Sequence, residues 1–193
     1  MKTTITYANA QALLAKYIKG TAMRNHSQGT AIAMRAIACS LGQDEEHWDI
    51  VGLLHDLDME VIGTDLSQHG VRTVEILRKE GYDIPDLFTP VIAHTEVLAC
   101  SPYRRETTLD YILSGVENLV GLIAAYVAMR QPTRTIIGAE AKSVVKKMKD
   151  KSFANNVNRE AISDAIERSG MERADFIQVV IDALSEHAKE IGM

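Results

Sequence analysis

The chain is poor in cysteine, proline and aromatic residues, and it carries no excess of positive charge. With only Cys39 and Cys100 present, a disulfide framework is excluded as the source of stability. Four prolines in 193 residues leave long stretches in which a helix can run unbroken. Aromatics make up 5%, and no stretch alternates polar and apolar residues for long enough to build a half-buried strand. Lys and Arg number 21 against 26 Asp and Glu, a net charge of -5, so a strongly basic nucleic-acid binder is disfavoured and no stable nucleic-acid complex is expected. The first twenty residues contain no long apolar run of the secretory type. The longest apolar stretch, around Leu119 to Met129, falls short of the ~20 residues that span a bilayer. A soluble cytoplasmic protein without membrane association is expected.

What is present is ordinary globular composition, 46% hydrophobic and 24% charged, at the size of one domain. Helical periodicity recurs along the chain. It predicts helices over Tyr7 to Lys19, Ala22 to Leu41 with Gly42 at the C-cap, and a third segment capped by Asp44 with Glu45 and Glu46 in its first turn. A fourth is expected from a Ser67 cap to Glu80, a short fifth near Asp86 to His94, and a long apolar one from about Thr108 to Met129. Ala139 to Asp150 carries lysines, Asn158 and Arg173 open two more patterns, and the last is expected to end near Gly192. The fold class is therefore all-α, a helical bundle without internal repeats. Residues 1–193 read as one domain, with a core of about 22–130 and a more polar C-terminal helical extension of about 131–193. Cys39, in an Ala/Ile-rich helix, reads as a packed core thiol.

Histidines and acids interrupt the apolar segments. His55 and Asp56 break the run Val51 to Leu57; Glu117 lies among Val116, Leu119, Val120, Leu122 and Ile123; His94 follows Val91-Ile92-Ala93; His26 precedes the apolar helix Thr30 to Cys39. No Lys or Arg occurs from Thr107 to Met129, so no helix neighbour neutralises Glu117. Each residue alone reads most simply as a satisfied core polar group. Together, four helices deliver an imidazole or a carboxylate each, and a shared divalent cation would offset the desolvation of Asp56 and Glu117. Imidazole with carboxylate suits Fe, Mn, Zn, Ni or Co, and Mg less well.

These residues stand in a recognisable order. Asn25-His26-Ser27, Leu53-Leu54-His55-Asp56-Leu57-Asp58, Gln68-His69-Gly70, Val91-Ile92-Ala93-His94-Thr95 and Ser114-Gly115-Val116-Glu117-Asn118-Leu119 together resemble the H…HD…D pattern of the HD-domain metal-dependent phosphohydrolase superfamily. The match covers about residues 22 to 130. The segment Lys146-Lys147-Met148-Lys149-Asp150-Lys151-Ser152-Phe153-Ala154-Asn155-Asn156-Val157-Asn158-Arg159-Glu160 also looks like that of a small prokaryotic subgroup, which extends the resemblance nearly to the C-terminus. The chain departs from the pattern in holding Glu117 where the final aspartate is expected; Asp110, seven residues earlier, is the fallback acid on that helix.

The resemblance implies a phosphohydrolase or phosphodiesterase acting on a small phosphorylated, nucleotide-like substrate with one or two divalent ions. It implies His26, His55, Asp56 and Glu117 as ligands of one ion and His69 and His94 as ligands of a second, with Asp56 shared. With a single ion, His69 or His94 becomes a general acid. Asp58 is expected as a base, as a partner of a ligating histidine, or as a solvated residue at a helix end. Arg35, Lys146, Lys147, Lys149 and Arg159 are candidate phosphate-binding residues, although the lysine run by itself reads first as a solvated helix face. The GYP signature of cyclic-di-GMP phosphodiesterases is absent. A catalytically weak binding or regulatory protein and a di-iron oxygenase are the competing classes, and a homodimer is the default assembly.

Overall fold

Helix starts in this chain coincide with side chains that accept a hydrogen bond from the first turn. Thr6 accepts from Asn9 N, Asp44 from His47 N and Asn158 from Ala161 N, while Thr107 and Asp110 form a reciprocal capping box. In the computed structural model, which describes residues 1–98 and 101–193, ten α-helices follow: α1 Tyr7–Tyr17, α2 Thr21–Ser40, α3 Glu45–Leu54, α4 Met59–Ile62, α5 Val71–Lys79, α6 Pro85–Ala93, α7 Thr108–Met129, α8 Ala141–Lys149, α9 Arg159–Ser169 and α10 Arg173–Glu186. Short 3-10 turns cover Leu66–Gln68 and His94–Val97. Among the described residues there is no strand, only a bridge between Lys2 and Tyr82. The all-α expectation holds.

Four local expectations are corrected. Ser67 does not cap a helix: Asp65 accepts its N–H and its hydroxyl, which fastens it in the 3-10 turn, and α5 begins only at Val71. The last helix ends at Glu186 and gives way to turns. Cys39 is exposed, because it lies to one side of the buried Met34, Ile37 and Ala38 stripe of α2; Cys100 falls outside the described residues. The apolar helix α7 is 22 residues long, enough by length and composition to cross a membrane. It is instead a packed core helix, with 61% of its most apolar window buried.

One contiguous buried cluster draws on α1 to α3 and on α5 to α10. The chain beyond residue 131 belongs to it through Ile162, Ala165, Phe176, Ile177, Val180 and Leu184. The closest helix pairings are α7 with α9 and α2 with α3. The first depends on Gly115: a Cβ there would stand 2.2 Å from Ala165 Cβ and 2.6 Å from the Ala161 carbonyl. A bare backbone at 115 thus lets α9 lie directly on the helix that carries Glu117. The approach predicts that Gly115→Ala lowers stability by about 1–3 kcal/mol through overpacking. Gly121→Ala on the same helix, where a Cβ would meet only Val157 at 3.8 Å, should be neutral or stabilising by up to ~1 kcal/mol through helix propensity. Paired thermal denaturation checks both; equal melting temperatures would contradict the packing account.

Candidate metal centre

Six polar residues from separate elements converge under the packed helices. His26 lies in the second turn of α2, His55 and Asp56 directly follow α3, His69 precedes α5, His94 follows α6, and Glu117 sits midway along α7. Asp56 is the centre. Its Oδ2 is 3.3 Å from His55 Nε2 and 3.7 Å from His26 Nε2; its Oδ1 is 3.4 Å from His69 Nε2 and 3.7 Å from His94 Nε2. Glu117 Oε2 stands 4.0 Å from His26 Nε2. The donors form two groups, His26 with His55 and Glu117, and Asp56 with His69 and His94, each with its donor atoms within 4.8 Å of one another.

Hydrogen bonds at the far side of three rings set which nitrogen faces inward. His55 Nδ1 is 2.7 Å from the Gly52 carbonyl, His94 Nδ1 is 2.6 Å from the Val91 carbonyl, and His69 Nδ1 is 2.9 Å from Asp58 Oδ1. Each Nδ1 is therefore engaged on the outer side, and each Nε2 turns toward the Asp56 carboxylate. His69 Nε2 and His94 Nε2 lie 3.1 Å apart, two acceptors face to face unless a proton or cation lies between them. His55 Nε2 is buried and makes no hydrogen bond. Ring nitrogens without a proton repel a carboxylate, so the donor set needs protons or a cation between its members, and either group fits a divalent cation.

The electrostatics agree. Burial would lower the pKa of His55, but the charge and hydrogen bond of Asp56, the Glu117 charge and the Gly52 carbonyl together raise it to about 9. Burial pushes Glu117 up to about 8. Burial lowers His26 to about 4 and lowers His94 as well. Burial opposes ionisation of Asp56, yet the His55 charge holds its carboxyl well below the usual range.

Asp58 is fully buried and accepts from His69 Nδ1, Gly70 N at 2.7 Å and Thr73 N at 3.2 Å. It is neither solvated nor directed at the cleft. It sits at the N-terminus of α5, where the helix dipole favours an anion, and fixes the His69 ring. Gly70 makes this possible: its φ is +76°, and a Cβ there would approach the Val91 carbonyl to 2.7 Å.

Other candidates lie elsewhere. Asp110 accepts from Glu106 N and Thr107 N, so the fallback acid is consumed as a cap. Arg35 pairs with Glu45 at 3.4 Å and with the buried Asp49 at 3.5 Å, in a different cavity. Arg159 is not a free phosphate binder: its guanidinium donates to the carbonyls of Met148, Asp150, Phe153, Ala154 and Val157 and fastens the loop before α9. Lys146 and Lys149 are exposed, and Lys147 lies over the Phe153 ring at 4.8 Å. None of the three lines the cleft beside the histidines.

That cleft, of about 520 Å³, is bounded by Asp56, His69, His94 and Glu117 on its floor. Sequence reasoning missed Asn118, which is buried, donates to Glu117 Oε1 and to the Ser114 carbonyl, and accepts from Asn158 N at 2.7 Å. An amide in the most apolar helix of the chain was as legible a signal as Glu117 beside it.

A helical bundle whose buried carboxylate is shared by four imidazoles defines a protein with a candidate two-site metal centre. The HD domain family model matches residues 23–114, so that segment is similar to the HD domain, a family generally of metal-dependent hydrolases. The matched span contains His26, His55, Asp56, His69 and His94 and ends three residues before Glu117. A search of curated proteins finds no match.

Two outcomes follow. Metal binding needs His55 and Glu117 without their protons, so at pH 7 it should release protons and tighten as pH rises toward 9. The metal-free protein should lose stability over the same interval, because a raised pKa stabilises only below it. Calorimetric titration with Mn²⁺ in buffers of different ionisation enthalpy reads the first and melting curves read the second. In Asp58→Asn the new NH₂ would face the N–H groups of Gly70 and Thr73, and metal affinity should fall ~10–100-fold, measured by chelator competition; unchanged affinity would remove Asp58 from the site.

Proposed function

We propose that this chain is a metal-dependent phosphohydrolase that cleaves a small phosphorylated, nucleotide-like molecule. The supporting observation is the split of Asp56: one carboxylate oxygen faces His26 and His55, the other faces His69 and His94. Such a donor arrangement would suit a pair of cations sharing that carboxylate, and the similarity of residues 23–114 to the HD domain supports hydrolysis as its use. When bound, such cations polarise a phosphoryl oxygen and lower the pKa of a water near neutrality.

The chain's own groups do the rest. Asp56 holds the two donor sets at one point. Asp58 keeps the His69 ring in place, and the Val91 and Gly52 carbonyls do the same for His94 and His55. Asn118 fixes one oxygen of Glu117 and leaves the other toward His26. If His69 and His94 hold no cation, a proton shared by their Nε2 atoms lies at the cleft floor, where it can pass to a leaving oxygen. Hydrolysis then forms a P–O bond to the water oxygen and breaks the ester P–O bond; the leaving oxygen takes the imidazole proton and departs as the alcohol, and the proton lost by the water restores the imidazole pair.

Elemental analysis of the purified protein, followed by phosphate release from p-nitrophenyl phosphate and a nucleotide panel with Mn, Fe, Ni, Co, Zn and Mg, tests this reading. The expected result is one or two ions per chain and metal-dependent turnover that falls at least ~10³-fold in Asp56→Asn, together with loss of metal. Iron-dependent oxygen uptake without phosphate release would overturn it in favour of an oxygenase. Wild-type metal content in both His55→Ala and Asp56→Asn would overturn the site.

A further inference from the structure

Among the described residues, no lysine or arginine lines the cleft over the histidines. Its charged lining is Asp56 and Glu117, with the imidazoles of His69 and His94 between them. Two divalent cations against two carboxylates leave a net charge of plus two, the opposite of one phosphomonoester dianion. A triphosphate would bring in two further negative charges that nothing in the lining compensates. The outer walls have a different character. Met59, Leu66, Val97 and Leu98 form apolar faces, and Asn156 and Asn158 offer amides on the side of the loop before α9. Asn156 is exposed and makes no hydrogen bond among the described residues, so its donor and acceptor are both free. The loop that carries it is held by the five Arg159 contacts and, through Asn158 N, by Asn118. A fixed amide loses less freedom on binding than a mobile one. A volume of about 520 Å³ lies within the ~300–1,000 Å³ common for small-molecule sites.

We infer that the cleft takes a singly phosphorylated molecule whose organic part is uncharged, flat and edged with hydrogen-bonding groups, as in a nucleoside monophosphate, that Asn156 reads this part, and that di- and triphosphates are excluded. The substrate class rests on the hydrolase reading above; the role of Asn156 as a specificity residue does not require turnover.

The test has two arms. In the first, Mn²⁺-loaded protein is assayed with the four nucleoside 5′-monophosphates, the matching triphosphates and p-nitrophenyl phosphate. At least one monophosphate should exceed its triphosphate at least tenfold in kcat/KM, and Asn156→Ala should raise KM for that monophosphate about tenfold while leaving kcat, melting temperature and p-nitrophenyl phosphate hydrolysis unchanged. In the second, the four nucleosides are titrated calorimetrically into wild type and Asn156→Ala; at least one should bind wild type and weaken several-fold in the variant. Equal or faster turnover of triphosphates overturns the charge argument. Nucleoside binding that is absent, or equal in the two proteins, overturns the role of Asn156. Failure of every phosphate ester to react overturns the hydrolase reading instead, and leaves the nucleoside titration to decide on Asn156.

Discussion

A buried carboxylate surrounded by imidazole nitrogens is the constraint from which the rest of this molecule can be understood. Asp56 is 8% exposed and has the ring nitrogens of four histidines within 3.7 Å of its carboxylate oxygens. Such a cluster opposes folding unless protons or cations neutralise it. The protein supplies part of the compensation itself, as protons held on His55 and Glu117, and the donor geometry supplies the place for the remainder. Rigid outer partners, Gly52, Val91 and Asp58, keep the rings from turning away to find easier hydrogen bonds.

The C-terminal third of the chain serves the same centre. Gly115 lets α9 lie against α7, and Asn118 then reaches from Glu117 to the backbone of Asn158. Arg159 fills the loop between α8 and α9 with hydrogen bonds and holds it at the cleft rim. The conspicuous basic motif of residues 146–160 therefore contributes an architectural arginine and two rim asparagines, while its lysines lie outside the cleft lining.

Much of this was legible before any coordinates. Helix α7 was read with both its ends in place from the extent of its apolar run; the structure adds the Thr107 and Asp110 capping box at its start. Five of the six residues that converge, His26, His55, Asp56, His94 and Glu117, were identifiable because they stand in or beside apolar segments, whereas His69, in a polar stretch, was named only through the family resemblance. The readings that failed at Asp110, Arg35 and Ser67 share one physical cause: a polar side chain does not announce its partner. Asp110 looked like a spare ligand and is a cap, Arg35 looked free and pairs with Glu45 and the buried Asp49, and Ser67 looked like a cap and is held by Asp65.

Sequence by itself determined the helices and the chemical types of the donors, since both depend on residues within a few positions of one another: caps, periodicity, and a charge misplaced in an apolar run. Tertiary structure alone decided that Asp56 faces two donor groups, one through each oxygen, that Asn118 and Arg159 tie the last third of the chain to the centre, and that, among the described residues, no lysine or arginine lines the cleft. Those facts depend on which atoms meet across dozens of intervening residues, and such meetings are set by the packing of whole helices, to which no local pattern of residues corresponds.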